Sequence, residues 1–217
     1  MFRIVCNSQK GGSGKSTVCR VLSVHAARLG FSVYLVDTDT QGTLTQWHEA
    51  RETEEPRRVV VDQRRLGKRH ERHLRHRARI LFLSTHHRMP SEHLDDVFEL
   101  ADLVLVPIKP TPDDLKAALV TVYRLKSLGV PFLLVITQAI QNTNITAQAI
   151  AALSHHGSVA ETILVNRVAY PSAFTDGRTP QEIEPRAPAA REIASLWDNI
   201  LSYLHTGTVE TRSEARG

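Results

Sequence analysis

Residues 7–17 read Asn-Ser-Gln-Lys-Gly-Gly-Ser-Gly-Lys-Ser-Thr, and this stretch constrains the rest of the chain more than any other. A hydrophobic run, Phe2 to Cys6, leads into it, and a helix-like run, Thr17 to Leu29, leads out. Gly11, Gly12 and Gly14 can take backbone angles that other residues resist, so several N–H groups can point inward at one anion. The helix N-terminus that follows adds its partial positive charge. A strand, a glycine-rich turn and a helix in that order make a phosphate cradle, in which Lys15 reaches the β- and γ-phosphates and the Ser16 hydroxyl ligates Mg²⁺. The standard P-loop wants a glycine five positions before Gly14. Gln9 stands there instead, and a second lysine, Lys10, sits at the entrance of the loop.

A chain of 217 residues suits one α/β domain, and 41% hydrophobic residues supply a substantial core in which aliphatic packing dominates, aromatics being 6%. The two cysteines, Cys6 and Cys19, form no CxxC pair and fall in segments that read as buried. A structural role and a reducing cytoplasm follow. Met1 passes directly into a strand, so no leader is expected, and no apolar run approaches the ~18 residues of a membrane span. The net charge of +4 is unevenly placed. Residues 57–79 carry ten Arg and Lys against Asp62 and Glu71, a local +8 that leaves −4 for the remainder. Such asymmetry points to a polyanion-facing surface.

Further along, Ser32 to Val36 reads as a strand that delivers Asp37-Thr38-Asp39-Thr40-Gln41-Gly42 to its C-terminal end, where ligand chemistry sits in open parallel sheets. Carboxylates there suit Mg²⁺ and the positioning of a water for phosphoryl transfer; an acidic turn capping the next helix is the alternative for Asp39. Strands are expected near Arg58–Val61, Ile80–Leu83, Asp102–Pro107, Val130–Thr137 and Glu161–Val165. Helices are expected over Pro90–Leu100, Asp113–Leu128, Asn142–His156 and Ala189–Leu204, with Pro180–Pro188 a loop. Over Asp62–Arg79, Leu66, His70 and Leu74 mark one thin packed stripe on a cationic helix. It reads either as a solvated helix or as a set of phosphate contacts through Arg64, Arg65, Lys68, Arg69, Arg72 and Arg75.

The segment Lys10-Gly11-Gly12-Ser13-Gly14-Lys15-Ser16, with Thr17 after it, resembles the deviant Walker A loop of the ParA/MinD family of ATPases, nearest the short plasmid-type ParA partition proteins. Asp37, Asp39, Gln41, Gly42 and Trp47 resemble that family's Asp-x-Asp-Pro-Gln-Gly segment and the helix after it, with Thr40 in place of the proline. The run Asp102 to Leu115 resembles another family segment, and Asn166 to Phe174 resembles one on the adenine side. The resemblance implies a P-loop NTPase-like α/β fold, a parallel twisted sheet with helices on both faces over residues 1–205, ahead of a mobile polar tail, 206–217. It implies ATP and Mg²⁺ as ligands held by residues 10–17, with Ser16 and Asp37 on the metal. Lys10, Lys15 and Asp39 would be catalytic, Asp39 through the attacking water and Lys10 through the phosphates of a partner subunit.

By the same resemblance the partners are a second copy in an ATP-dependent homodimer or higher assembly, non-specific DNA, and a centromere-binding ParB-like protein that stimulates hydrolysis. The place of action would be the nucleoid in the cytoplasm, without membrane binding, since the tail lacks the basic amphipathic character of MinD-like relatives. One departure stands out. Where the family's Walker B strand ends in Asp, this chain has Ser84. That exchange implies a second reading, a catalytically weak nucleotide-dependent regulatory or assembly protein. A MinD-like positioning ATPase is a third.

Overall fold

The computed structural model describes residues 1–39, 41–59, 80–85, 89–141 and 143–214, with side chains through 205. The six arginines and lysines named as DNA contacts, the helix expected over Asp62–Arg79, and His86 and His87 lie outside the described residues.

Among the described residues six strands form one sheet: β1 (Phe2–Cys6), β2 (Val33–Asp37), β3 (Arg57–Val59), β4 (Ile80–Ser84), β5 (Leu103–Ile108) and β6 (Phe132–Ile136). Their spatial order is β3-β2-β4-β1-β5-β6, and every pairing is parallel. Parallel neighbours cannot be joined by a tight turn, so the chain crosses over through helices that cover both faces. They are α1 (Lys15–Arg28), α2 (Thr43–Glu49), α3 (Ser91–Glu99), α4 (Pro112–Ser127), α5 (Asn144–Ser154), α6 (Ala169–Phe174), α7 (Pro180–Ile183) and α8 (Pro188–Glu214).

The pleat sorts the core into two layers. Ile4, Leu103 and Leu105 point to the face packed by α1 and α8, whereas Val5, Val104 and Val106 point to the face packed by α3, α4 and α5. The long apolar runs of β5 and β6 are buried along their whole length, as strands covered on both sides must be. Trp197 of α8 anchors the first layer, 1% exposed, with ring centroids 6.1 Å from Phe31 and 6.4 Å from Phe82. Cys6 and Cys19 are both fully buried in this layer; burial and contact with Cys6 push the Cys19 thiol well up, so it is an inert packing group.

Three segments differ from expectation. Residues 161–165 form no regular strand. Two isolated bridges, Leu134 to Val159 and Ala139 to Val165, run beside β6. Between them Leu164 N–H still reaches Ile136 O, but Asn199 Oδ1 of α8 accepts the N–H of Thr162, so a side chain interrupts the ladder. Residues 180–183 are helical rather than loop, because Thr179 and Glu182 form a capping box and Pro180 occupies the first turn, where its missing N–H costs nothing. And α8 runs on past Leu204 to Glu214.

One glycine locks the C-terminal part to the front of the molecule. Gly177 has φ +75°, and a Cβ on it would lie 2.5 Å from Arg51 N and 2.6 Å from Ala50 C. Its carbonyl accepts from Arg51 Nη1 at 2.6 Å, while the same guanidinium, 3% exposed, pairs with Glu182 at 2.8 Å. Gly177→Ala combines left-handed strain with a backbone clash and is expected to cost about 2–4 kcal/mol. Urea unfolding checks this: the midpoint should fall with the slope unchanged.

Candidate functional site

The strands end in a row. Cys6, Asp37 and Ser84 are in register at the C-terminal edges of β1, β2 and β4. The glycine loop emerges from the middle of this row. Its first N–H, that of Asn7, continues the ladder to Leu105 O at 3.0 Å. At its end Gly14, φ +100°, is the N-cap of α1. No side chain caps this helix and no acidic residue stands in its first turn, so its leading N–H groups are left for a ligand.

Two residues after β6 fix the loop from outside. Thr137 Oγ1 donates to Ser13 O at 2.7 Å, and Gln138 Nε2 donates to Gly12 O at 2.8 Å. With two carbonyls so tied, the loop borders a cavity of about 340 Å³ lined by Gly12, Gly14, Ser16, Thr17, Asp39 and Arg20 among others. Thr137 also explains the glycine at 14, since a Cβ there would meet Thr137 Oγ1 at 3.3 Å. A second cavity of about 290 Å³ shares Gly14, Thr17 and Gln138 and continues to Asn166, Tyr170 and Phe174. The two together offer a polar compartment joined to a largely apolar one.

The two lysines occupy different settings. Lys15 is 7% exposed, and its Nζ donates to Ser8 O at 3.1 Å and Lys10 O at 3.2 Å. Burial lowers its pKa, which the Asp39 carboxylate partly offsets. Lys10 is turned to the rim, where Nζ pairs with Asp114 Oδ2 at 2.7 Å. Asp114 is buried in the first turn of α4; Thr111 caps that helix and donates to the same oxygen at 2.5 Å. Burial alone would raise the Asp114 carboxyl, but the hydrogen bonds from Lys10 and Thr111 hold it below its usual value.

Asp37 works as a helix clamp. Its Oδ2 accepts from Leu44 N, Thr45 N and Thr45 Oγ1 at 3.0–3.3 Å, and its Oδ1 accepts from Asp39 N at 3.0 Å. Asp39 in turn accepts the N–H of Gln41 at 2.9 Å while lining the phosphate-side cavity. Ser84 is 1% exposed, and its carbonyl takes both the N–H and the hydroxyl of Thr38. The residues present therefore fit a polyphosphate well and a divalent cation poorly. Ser16 lines the cavity, but Asp37 already accepts four hydrogen bonds and Ser84 carries no charge.

Sequence reasoning passed over Arg20, Thr137, Gln138 and Asp114. Arg20 had a visible signal, a cation in a run of α1 that is otherwise apolar or small. It is 8% exposed and pushed down to about 10 by burial; its guanidinium stacks on Phe174 at 4.5 Å and Trp47 at 5.6 Å. Its Nη2 donates to Thr43 O at 2.6 Å, tying the helix behind the loop to the segment carrying Asp39.

A model of the CobQ/CobB/MinD/ParA nucleotide binding domain matches residues 4–180. The chain belongs to this family. Within it, 42 residues, 19% of the chain, are 52% identical to a plasmid-partitioning protein ParA of Thermus thermophilus, a match that spans 13% of that relative's length. The fold is shared with a plasmid partition protein of Borrelia burgdorferi B31 bound to AMPPNP, at TM-score 0.72 and 14% identity over 93% of this chain and 98% of that one. It is shared also with the cell division protein MinD of Aquifex aeolicus, at 0.72 and 15% over 93% and 98%, and with apo McdA of Cyanothece, at 0.75 and 14% over 92% and 99%. The expected parallel α/β sheet is thus the family's own architecture, and nucleotide binding is the family's activity.

The rim pair gives a prediction with a definite sign. Because the native Asp114 carboxyl titrates below the ordinary value, its pair with Lys10 stabilises fully above about pH 4 and is lost as pH falls through the lower native value. Asp114→Asn should show a smaller loss of unfolding free energy than wild type between roughly pH 5 and pH 2, by less than about 1 kcal/mol because Lys10 is partly exposed. Denaturant unfolding at successive pH values measures it.

Proposed function

We propose that the chain is an ATP-dependent partition switch that pairs with a second copy of itself and holds DNA without sequence preference. The observation that carries this reading is the uncapped glycine cradle with Lys15 buried inside it and Lys10 waiting at its rim. Lys15 exchanges two carbonyl partners for β- and γ-phosphate oxygens. The N–H groups of Gly12 to Thr17 and the hydroxyls of Ser13 and Ser16 complete the cradle. Two ammonium groups are tolerated close together once a polyphosphate lies between them. Lys10 leaves Asp114 for the phosphates of the second copy, which links nucleotide state to dimerisation. The nucleotide supplies a phosphoanhydride bond. Asp39, at the cavity, orients the water that attacks it. Binding of AMPPNP by the Borrelia partition protein supports the choice of ATP.

DNA contact is assigned to Arg64, Arg65, Lys68, Arg69, Arg72 and Arg75, and stimulation of hydrolysis to a centromere-binding ParB-like partner. Charge reversal at Arg69, Arg72 and Arg75 is expected to weaken DNA retention in a gel shift, and wild-type affinity to fall steeply with salt. Unchanged retention removes the segment from the proposal.

Ser84 favours a second reading, a nucleotide-dependent regulatory or assembly protein with very slow turnover. Steady-state ATP hydrolysis, with and without DNA, separates the two. Under the first reading wild type turns over and Lys15→Ala does not. Under the second, wild type binds ATP without measurable turnover, and Ser84→Asp raises the rate by about tenfold or more.

A further inference from the structure

Three lysines approach the cradle. Lys109 follows β5, is half-buried, and brings its Nζ so near the loop that a Cβ on Gly12 would lie 3.7 Å from it. Lys109 Nζ makes no hydrogen bond or ion pair among the described residues. Asp114 feels its charge; Asp114 Oδ2 accepts from Lys10 and Thr111, and its buried Oδ1 has no hydrogen-bond partner among the described residues. An ammonium held beside Gly12, with Lys10 and Lys15 serving the same loop, is repelled by like charge until an anion arrives.

The acidic side of the site departs in the complementary sense. Ser84 ends β4 without a carboxylate, and Asp37 Oδ2 is engaged by the start of α2 while Oδ1 accepts the N–H of Asp39. The end of β4 carries no fixed negative charge, and Lys109 brings a positive charge, without a hydrogen-bond partner among the described residues, to the phosphate loop. Both features favour a polyphosphate whose charge is not already met by Mg²⁺.

We propose that Lys109 is a third phosphate-binding lysine, and that with it the site takes a nucleoside triphosphate without needing a divalent cation. This rests on the nucleotide-binding reading above. It assigns to Lys109 a contact that no motif in the sequence required, since the glycine loop supplies only Lys10 and Lys15.

Equilibrium binding of ATP to the full chain, by calorimetry in excess EDTA and again in excess Mg²⁺, tests it. Wild type should bind in EDTA within about threefold of its affinity in Mg²⁺. Lys109→Gln should lose about tenfold or more in EDTA, the scale of one charge-assisted hydrogen bond, and much less in Mg²⁺. Lys109→Arg should keep most of the EDTA affinity, and Ser84→Asp should weaken binding in EDTA while favouring Mg²⁺. Binding in Mg²⁺ alone overturns the inference and leaves the nucleotide reading standing, as does equal EDTA affinity of wild type and Lys109→Gln. Absence of binding in both conditions overturns both.

Discussion

The start of α1 is a helix terminus that no side chain among the described residues caps, and the surroundings of the loop are arranged around that fact. A buried helix start with unpartnered N–H groups is costly unless a ligand serves it. Here Thr137 and Gln138 fix the loop by taking the carbonyls of Ser13 and Gly12. The sheet order makes this possible. With β1 flanked by β4 and β5, and β6 beyond, the loop leaves the centre of the sheet while residues just past β6 reach its outer side.

The same loop is wired to the segments that could report its state. Lys15 is held by loop carbonyls, Lys10 by the first turn of α4, and Arg20 joins α1 to the start of α2, which Asp37 clamps. An anion drawing Lys15 inward competes with the carbonyls of Ser8 and Lys10. The rim lysine, its backbone carbonyl freed, is then governed by its pair with Asp114 alone. These are exchanges of charge-assisted hydrogen bonds of similar strength, so the balance can be set by a ligand rather than by a large rearrangement.

What could be read in the sequence was whatever is local. The loop, the apolar runs of β1, β2, β4, β5 and β6, and the positions of α1 and α4 follow from periodicity and punctuation. The candidate site could be picked out where its residues lie in one contiguous stretch, as in 10–17 and 37–42, and the cavity beside the loop is lined by residues of both. What depended on distant partners could not be picked out. Asp114 looked like an ordinary first-turn acid of α4, yet it meets Lys10 across 104 positions. The ladder at 161–165 looked continuous, but Asn199 of α8 claims the N–H of Thr162. Pro180 looked like loop punctuation, and the capping box at Thr179 and Glu182 turned it into a helix start.

Coupling between the cradle and self-association is the centre of this account, and sedimentation velocity of the full chain measures it directly. The account predicts that AMPPNP shifts the chain to a dimer or larger species while ADP leaves it monomeric, and that Lys10→Ala abolishes the shift without abolishing nucleotide binding. A chain that stays monomeric when saturated with AMPPNP, or one whose Lys10→Ala form still assembles, would contradict it.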